Sequence, residues 1–422
     1  MEMRTIMKYK LNLKKFLRFT ILIVAAVLVI LFVYNKFTAD SNGNNSGDSK
    51  EQTSIENKDA NNLKNENDKK SNEVKLVASG DMLYHDIVYW SAKQPDGSYD
   101  FSNNYSQIKD FVSSADLALG DFEGTISDEF ELSGYPLFNA PKEVVGAIKD
   151  AGYDVIDLAH NHILDSRLSG ALNTKKLFNK AGMDTIGIKE KEDDQILVKK
   201  VNGTKIAILG FSYGYNGMEN TLTDEEYRIH MQDLNPEYVK KMIKKAEKLA
   251  DITVVMPQSG VEYALEPTDE QKTLYRNMVK WGADIIFGGH PHVCEPTEII
   301  EHEGKDKFII YSMGNLLSNQ RLETLDNIWT ERGVIVEVNI KKDKEGTVLK
   351  SIKPHPTWVL REPNGRSSAI TPLYNYQTLL CEDYIKGGSK AGTFSGDTQN
   401  RIESAYAEVM NLLNVDEKYL EK

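Results

Sequence analysis

One pattern recurs between Val74 and about Leu317 and constrains the fold more than any other feature. An amphipathic stretch ends near a small residue, an acidic residue follows, and then an apolar run stops at a polar cluster. It is seen in Ala115-Asp116-Leu117-Ala118-Leu119 before Gly120-Asp121-Phe122-Glu123, and in Gly152-Tyr153-Asp154-Val155-Ile156-Asp157-Leu158-Ala159 before His160-Asn161-His162. It returns in Ala250 to Met256 before Gln258-Ser259-Gly260, and in Ala283-Asp284-Ile285-Ile286-Phe287 before Gly288-Gly289-His290-Pro291-His292-Val293. Helices alternating with buried strands specify an α/β fold, whose functional groups gather beyond the carboxyl ends of the strands. The polar clusters fall at those ends.

The remaining elements are read in the same way. The first strand, Val74 to Ser79, leads into Gly80-Asp81, and further strands are expected at Lys205 to Phe211, Lys307 to Met313 and Gly333 to Ile340. The last two follow one another with little helix between them, which points to a second sheet packed on the first. Helices are expected at about 141–151, 170–181, 236–250 and 269–281, and a last one at about 399–413 after a Gly- and Ser-rich loop, expected to be flexible, over 386–398.

The amino-terminal part follows different rules. From Phe19 to Tyr34 there is no charge and no helix breaker, and extending the run to 16–37, with Arg18 and Lys36 snorkelling, reaches roughly the 20 residues that span a bilayer. Six cations precede it, so residues 1–15 are expected in the cytoplasm and everything after the span outside, in a single-pass cell-membrane protein. Residues 38–73 hold almost nothing to bury and read as a disordered linker. Residues 1–36 carry a net charge of about +6, which leaves about -18 of the total -12 on the remainder. Such an acidic body disfavours a nucleic-acid partner. Cys294 and Cys381 permit a disulfide outside the cell without demanding one, and a buried free thiol is the simpler expectation.

Eight histidines occur in 422 residues, and His290 and His292 stand at i, i+2 just past a buried run, where one turn can aim both imidazoles at one point. Together the strand-end clusters offer Asp81, His85, Asp121, Glu123, His160, Asn161, His162, Gln258, Glu262, His290 and His292. Mixed carboxylate, amide and imidazole donors suit one or two divalent ions of the manganese, iron or zinc class in a hydrolytic site, and two cysteines are too few for a thiolate-rich structural zinc. Taken singly, Asp81 and Asp121 also admit a reading as turn or cap residues, and Asn161-His162 one as a cap for the helix beginning near Ser169.

From about Lys75 to Leu317 the chain resembles the capsule-synthesis CapA family, also called the poly-γ-glutamate biosynthesis family, whose fold belongs to the calcineurin-like metallophosphatases. The resemblance rests on Ala78-Ser79-Gly80-Asp81, Leu119 to Glu123, Phe138-Asn139-Ala140-Pro141, Asp157 to Asp165, Gly260-Val261-Glu262-Tyr263, Gly289 to Val293 and Tyr311-Ser312-Met313-Gly314-Asn315. It implies a metallophosphatase-like two-sheet sandwich flanked by helices over 74–320, with 321–422 completing or flanking it. It also implies Asp81 as the first-metal carboxylate, Glu123 as the bridge, Asn161 as a second-metal ligand, His290 and His292 as further ligands, and His162 as a general acid. Asp121, His160 and Glu262 would line the site. Three positions depart from the family pattern. Asp121-Phe122-Glu123 stands for Asn-Leu-Glu, His160-Asn161-His162 for Asn-Asn-His, and Gln258-Ser259-Gly260 for His-Trp-Gly. The last puts an amide, a weak ligand, where an imidazole is usual.

Two functions follow from the resemblance. One is a membrane-tethered component of capsular polymer assembly or export, of poly-γ-glutamate type, working with membrane synthesis or export proteins and meeting an anionic polymer. The other is a metal-dependent phosphoester hydrolase at the cell surface. Action on amide bonds of the polymer is a third.

Overall fold

The computed structural model describes residues 73–192 and 196–420. The expected span at 16–37 and nearly all of the expected linker lie outside the described residues. Among the described residues no helix is long and apolar enough to cross a membrane.

Among the described residues, fourteen strands form two sheets. The eight-stranded sheet contains β1 (Glu73–Leu83), β2 (Leu117–Glu123), β3 (Val155–Asp157), β4 (Asp184–Ile186), β11 (Asn315–Leu317), β12 (Arg332–Asp343), β13 (Gly346–Ser367) and β14 (Pro372–Leu380). Its order is β14-β13-β12-β1-β2-β3-β4, with the short β11 paired to β1. The six-stranded sheet contains β5 (Leu197–Val201), β6 (Thr204–Ser212), β7 (Ile252–Gln258), β8 (Ile285–Phe287), β9 (Cys294–His302) and β10 (Lys305–Met313), in the order β5-β6-β7-β8-β10-β9. The strands β1 to β4 run parallel, as do β6, β7, β8 and β10, while β12 to β14 and the edges β5 and β9 are antiparallel.

The sheets pack face to face on a core that includes Leu76, Ala78, Leu119, Val336 and Val338 from one and Ile208, Val254, Phe287, Phe308 and Ile310 from the other. Alternation on the pleat sends the intervening residues outward. Val77, Ala118, Phe122 and Ile156 meet the helices 86–92, 144–150 and 167–180, and Ala207, Val255 and Ile286 meet the helices 236–246 and 269–281. Both faces of each central strand are therefore covered, which is why those strands read as continuous apolar runs.

The expected helices form with small shifts at their ends, at Val144–Asp150, Arg167–Lys180, Pro236–Ala246 and Asp269–Trp281. Local chemistry accounts for the sharpest boundaries. Asn235 caps the helix that opens with Pro236, and Thr268 and Gln271 make a capping box ahead of Asp269. One expectation is corrected. The strands at 307–313 and 333–340 do not share a second sheet, because β10 joins β8 in the six-stranded sheet whereas β12 lies antiparallel beside β1 in the other. Residues 386–395 form a run of turns, held by Lys390 Nζ on Asp383 and Gln107, and the last helix, Gly396–Leu413, begins three residues earlier than expected.

Phe308, fully buried between the sheets, supplies a test of this packing. Phe308→Ala is expected to cost about 3–5 kcal/mol, measured as a lowered denaturant midpoint with an unchanged slope.

Candidate metal centre

The carboxyl ends of β1, β2, β3, β7 and β8 meet at one end of the sandwich. Asp81 lies opposite Asp121 of β2 and Asn315 of β11, and Glu123 is the last residue of β2. The close crossing of β1 and β11 requires Gly80. A Cβ there would stand 1.9 Å from the Gly314 carbonyl oxygen, which accepts from Asp81 N–H at 3.0 Å. On the opposite sheet Gly289 does the same service, since its Cβ would meet Gln258 Nε2 at 2.5 Å and Asp81 Oδ1 at 3.0 Å. The chain then turns through His290 at φ +94° and His292 at φ +60°, a strained left-handed conformation that brings both rings back over the strand ends.

His292 Nδ1 stands 3.0 Å from Asp81 Oδ2, 3.2 Å from Asn315 Oδ1 and 3.8 Å from Glu123 Oε2. Ligand atoms of Asp81, Glu123 and His292 lie within 4.8 Å of one another. Around them Asp81 Oδ1, both Glu123 oxygens, Asn161 Oδ1, Gln258 Oε1 and His290 Nδ1 are buried without a hydrogen-bond partner. So many orphaned acceptors in one place are rare in folded proteins unless an ion satisfies them. Carboxylate, imidazole and amide donors fit a divalent cation of the manganese, iron or zinc class, with Asp81, Glu123 and His292 best placed to hold it.

The electrostatics agree with this reading. Burial, reinforced by Asp81, pushes the Glu123 carboxyl up to about 7, although the His292 imidazole pulls it down. Burial would lower His292, yet the Glu123 and Asp81 carboxylates outweigh it and raise the imidazole to about 9. Burial raises Asp157 to about 7, and burial together with Asp81, Asp157 and Glu123 holds Asp121 well above the usual carboxylate range. His290 and His85 are pulled down to about 3 by burial, then by His292 and His162, so both are neutral imidazoles.

The other expected residues divide. Asn161 and His290 do not join the convergent trio: Asn161 Nδ2 donates to Asn216 Oδ1 at 3.3 Å, and the His290 ring packs 6.1 Å from that of His292. His85 packs edge-on against Phe138. Gln258 Nε2 donates to Asp121 Oδ2, so two of the three departing segments bind each other. His160 is turned among backbone groups, its ring nitrogens against the N–H of Gly124 and His162. Glu262 is exposed at the rim, where its charge still acts on Glu123 and His292. Asp81 and Asp121 sit inside strands, and the helix after Asn161-His162 has no side-chain cap, so the turn and cap readings fail. Cys294 and Cys381 are buried free thiols, and Cys294 Sγ faces the Met313 carbonyl at 3.5 Å.

Four supporting residues carried no role in the sequence reading. Asp165 Oδ2 accepts from His162 Nδ1 at 2.7 Å and from Phe138 N–H at 2.6 Å, and it helps raise the His162 imidazole against the lowering effect of burial. Asn315 Nδ2 donates to Thr330 O at 2.8 Å and Gln320 Oε1 at 2.9 Å, which leaves its Oδ1 for His292. Asp157 is buried beside Asp121 on the neighbouring strand, and Asn216 reaches both Asn161 and His162. For Asp165 the spacing three residues past His162 was a usable signal, whereas Asn216 had none.

A pH dependence follows. Folded Glu123 and Asp157 keep protons that their unfolded counterparts have lost up to about pH 7, and folded His292 does so from about pH 6.5 to 9, so rising pH removes stability over a window that runs through neutrality to about pH 9. Below it the buried neutral imidazoles His85 and His290 act in the opposite sense. Chelator-treated protein is expected to melt at progressively lower temperature from pH 6.5 to 9, and excess Mn²⁺ is expected to raise the melting temperature most at the alkaline end. A chelated melting temperature that climbs across this range would contradict the cluster's electrostatics.

The model of the family described as "Bacterial capsule synthesis protein PGA_cap" matches residues 75–320. The chain is 30% identical over 261 residues to the capsule biosynthesis protein CapA of Bacillus anthracis, covering 59% of this chain and 60% of that one. It is 32% identical over 254 residues to the PGA biosynthesis protein CapA of Bacillus subtilis strain 168, covering 57% and 62%. The match thus spans about three fifths of each curated relative's length. Among solved structures, the calcineurin-like phosphoesterase YfkN from Bacillus subtilis aligns over 81% of this chain and 98% of its own, at 12% identity and a TM-score of 0.39. With more than half its length matched, the chain belongs to the bacterial capsule synthesis PGA_cap family.

Proposed function

We propose that this protein is a membrane-anchored, extracellular component of capsular polymer assembly or export whose metallophosphatase-like body holds one divalent ion on Asp81, Glu123 and His292. The observation that carries the reading is the buried, orphaned donor set around those three residues, at the strand ends of a chain in a capsule-synthesis family. The names of the curated relatives support the polymer role, and one of them names PGA. The uncharged run over 19–34 behind six cations supports the anchor and the outward placement of the body. Membrane-bound synthesis or export proteins are the partners such a tether would serve.

A divalent ion at this site supplies Lewis-acid charge to a ligand oxygen. The second metal position is weakened in this chain. Gln258 offers an amide in place of an imidazole, and its nitrogen is already committed to Asp121. The amide oxygen, left without a hydrogen-bond partner, is a weaker donor than an imidazole, which favours binding over two-metal hydrolysis. One observation favours phosphoester hydrolysis as the second reading: His162, held by Asp165 on Nδ1 and raised in pKa, keeps a proton for a leaving group.

Metal analysis of the full-length protein in detergent separates the two. About one ion per chain is expected, falling to near zero in Asp81→Asn and His292→Ala and rising toward two in Gln258→His. Turnover of a chromogenic phosphodiester by wild type is expected to be slight. Two ions and efficient turnover in wild type would make the protein a hydrolase first. For the anchor, cell-associated protein is expected to retain its first 25 residues, and a mature terminus within 26–45 would show cleavage instead.

A further inference from the structure

Among the described residues eleven large apolar side chains remain exposed, and they are unevenly placed. Nine lie at the metal-centre end, on loops that leave the carboxyl ends of β2, β6, β7 and β11 and at the tip of the β13–β14 hairpin. The two most exposed, Ile370 at 82% and Tyr135 at 77%, are among them, whereas Leu249 and Val348 stand at the opposite end. Single exposed apolar residues need no explanation, but a concentration on one end marks a surface that is covered in use.

The hairpin is the part of that end built most clearly for contact. β13 runs in the direction of β1, since both are antiparallel to β12, and Ser79, Ile335 and His355 stand side by side across the three strands. β13 then continues to Ser367, so the hairpin projects past the level of Asp81. Its tip is rigid. Ser368 N–H donates to the Thr371 carbonyl at 2.8 Å, and Ser368 Oγ accepts from the N–H groups of Ile370 at 3.3 Å and Thr371 at 3.1 Å, which holds Ile370 out as a knob. Beside it a groove of about 670 Å³ is walled by Trp90, Pro95 and Leu373 and rimmed by Lys93 and Arg366. Arg366 spends its donors on the Lys93 and Ser91 carbonyls, not on an acid, and so ties the hairpin to the end of the helix 86–92 with its charge uncompensated by that contact.

Charge and tether select the occupant. A body this acidic is repelled as a whole by an anionic surface, so contact needs a patch of reversed sign, and the hairpin supplies two cations beside an apolar knob, with no carboxylate lining the groove. Apolar side chains entering a bilayer interface while neighbouring Lys and Arg meet lipid phosphates are the physical pattern of interfacial binding. Elsewhere on this end Asp128, Glu129 and Glu131 flank Phe130, so the hairpin side is the edge that approaches the lipid. A second copy fits less well, because a two-fold contact through the knob would set Lys93 and Arg366 against their own counterparts. Residues 38–72 span up to about 120 Å when extended, far more than the roughly 36 Å of the 11-residue β1, so an anchored chain can turn this end to its own membrane.

We propose that the tip of the β13–β14 hairpin and the end of the helix 86–92 form a docking surface for anionic lipid at the bilayer interface, which sets the metal centre beside the membrane. It rests on the reading of the chain as membrane-anchored. Full-length protein would carry one spin label, through Ala369→Cys at the tip or Lys344→Cys on the β12–β13 turn at the opposite end, the native Cys294 and Cys381 being buried. In nanodiscs of phosphatidylcholine with about one third phosphatidylglycerol, the label at 369 is expected to lose about threefold in collision rate with a water-soluble nickel chelate, relative to discs of phosphatidylcholine alone, while the label at 344 stays unchanged. Salt at about 1 M, or either of Ile370→Asp and Lys93→Glu, is expected to return the tip to water at unchanged melting temperature. The proposal falls if the tip stays accessible in anionic discs or if residue 344 is the protected position. It falls too if protection at 369 comes with dipolar broadening between labels, which assigns the tip to a second copy. Failure to insert into discs removes the anchor reading instead, and flotation with vesicles of the same lipids then decides. Salt-sensitive flotation lost in Ile370→Asp supports the surface, and no flotation overturns it.

Discussion

Four carboxyl groups, those of Asp81, Asp121, Glu123 and Asp157, are buried at the ends of three adjacent strands, and the arrangement around them answers to that negative charge. Burial drives Asp121, Glu123 and Asp157 toward their protonated forms, and His292 is drawn into its charged form as their counter-ion. A buried group of this kind is stable only with protons, paired cations or a metal. The tight glycines on both sheets and the left-handed turn at His290 and His292 make sense as the backbone geometry that closes donors around such an ion.

The same constraint explains how two departures from the family pattern coexist. An acid at position 121 adds a fourth buried carboxyl, and an amide at 258 gives it a hydrogen-bond donor. An imidazole at 258 would be free to face an ion, whereas the glutamine nitrogen is occupied by Asp121 and its oxygen is a modest ligand. Asp81, Glu123 and His292 form the candidate cation site, and the His162–Asp165 pair stands apart from that trio.

Strands β1 and β2 carry Asp81 and Glu123, while His292 comes from the turn between β8 and β9 and the exposed rings come from loops. Asn315 and Asp165 act one step behind the site. Each uses its hydrogen bonds to leave one imidazole of the cluster correctly oriented.

The sequence by itself determined the alternation of helix and buried strand and the placement of polar clusters at strand ends, because residue periodicity and strand polarity are local properties; the narrower ligand set came from the family resemblance, and the structure brings ligand atoms of Asp81, Glu123 and His292 of that set within 4.8 Å of one another. Only the tertiary structure decided which strands share a sheet. The runs at 307–313 and 333–340 look alike along the chain, yet β10 and β12 belong to opposite layers, since pairing depends on which edge is free after the parallel strands have assembled. Only it decided, too, that His160 faces backbone while His162 meets Asp165, that Gln258 binds Asp121 across 137 residues, and that Tyr213 and Tyr263 stand over the histidines. Those outcomes depend on contacts between segments far apart in the chain, where spacing carries no information and packing alone selects the partner.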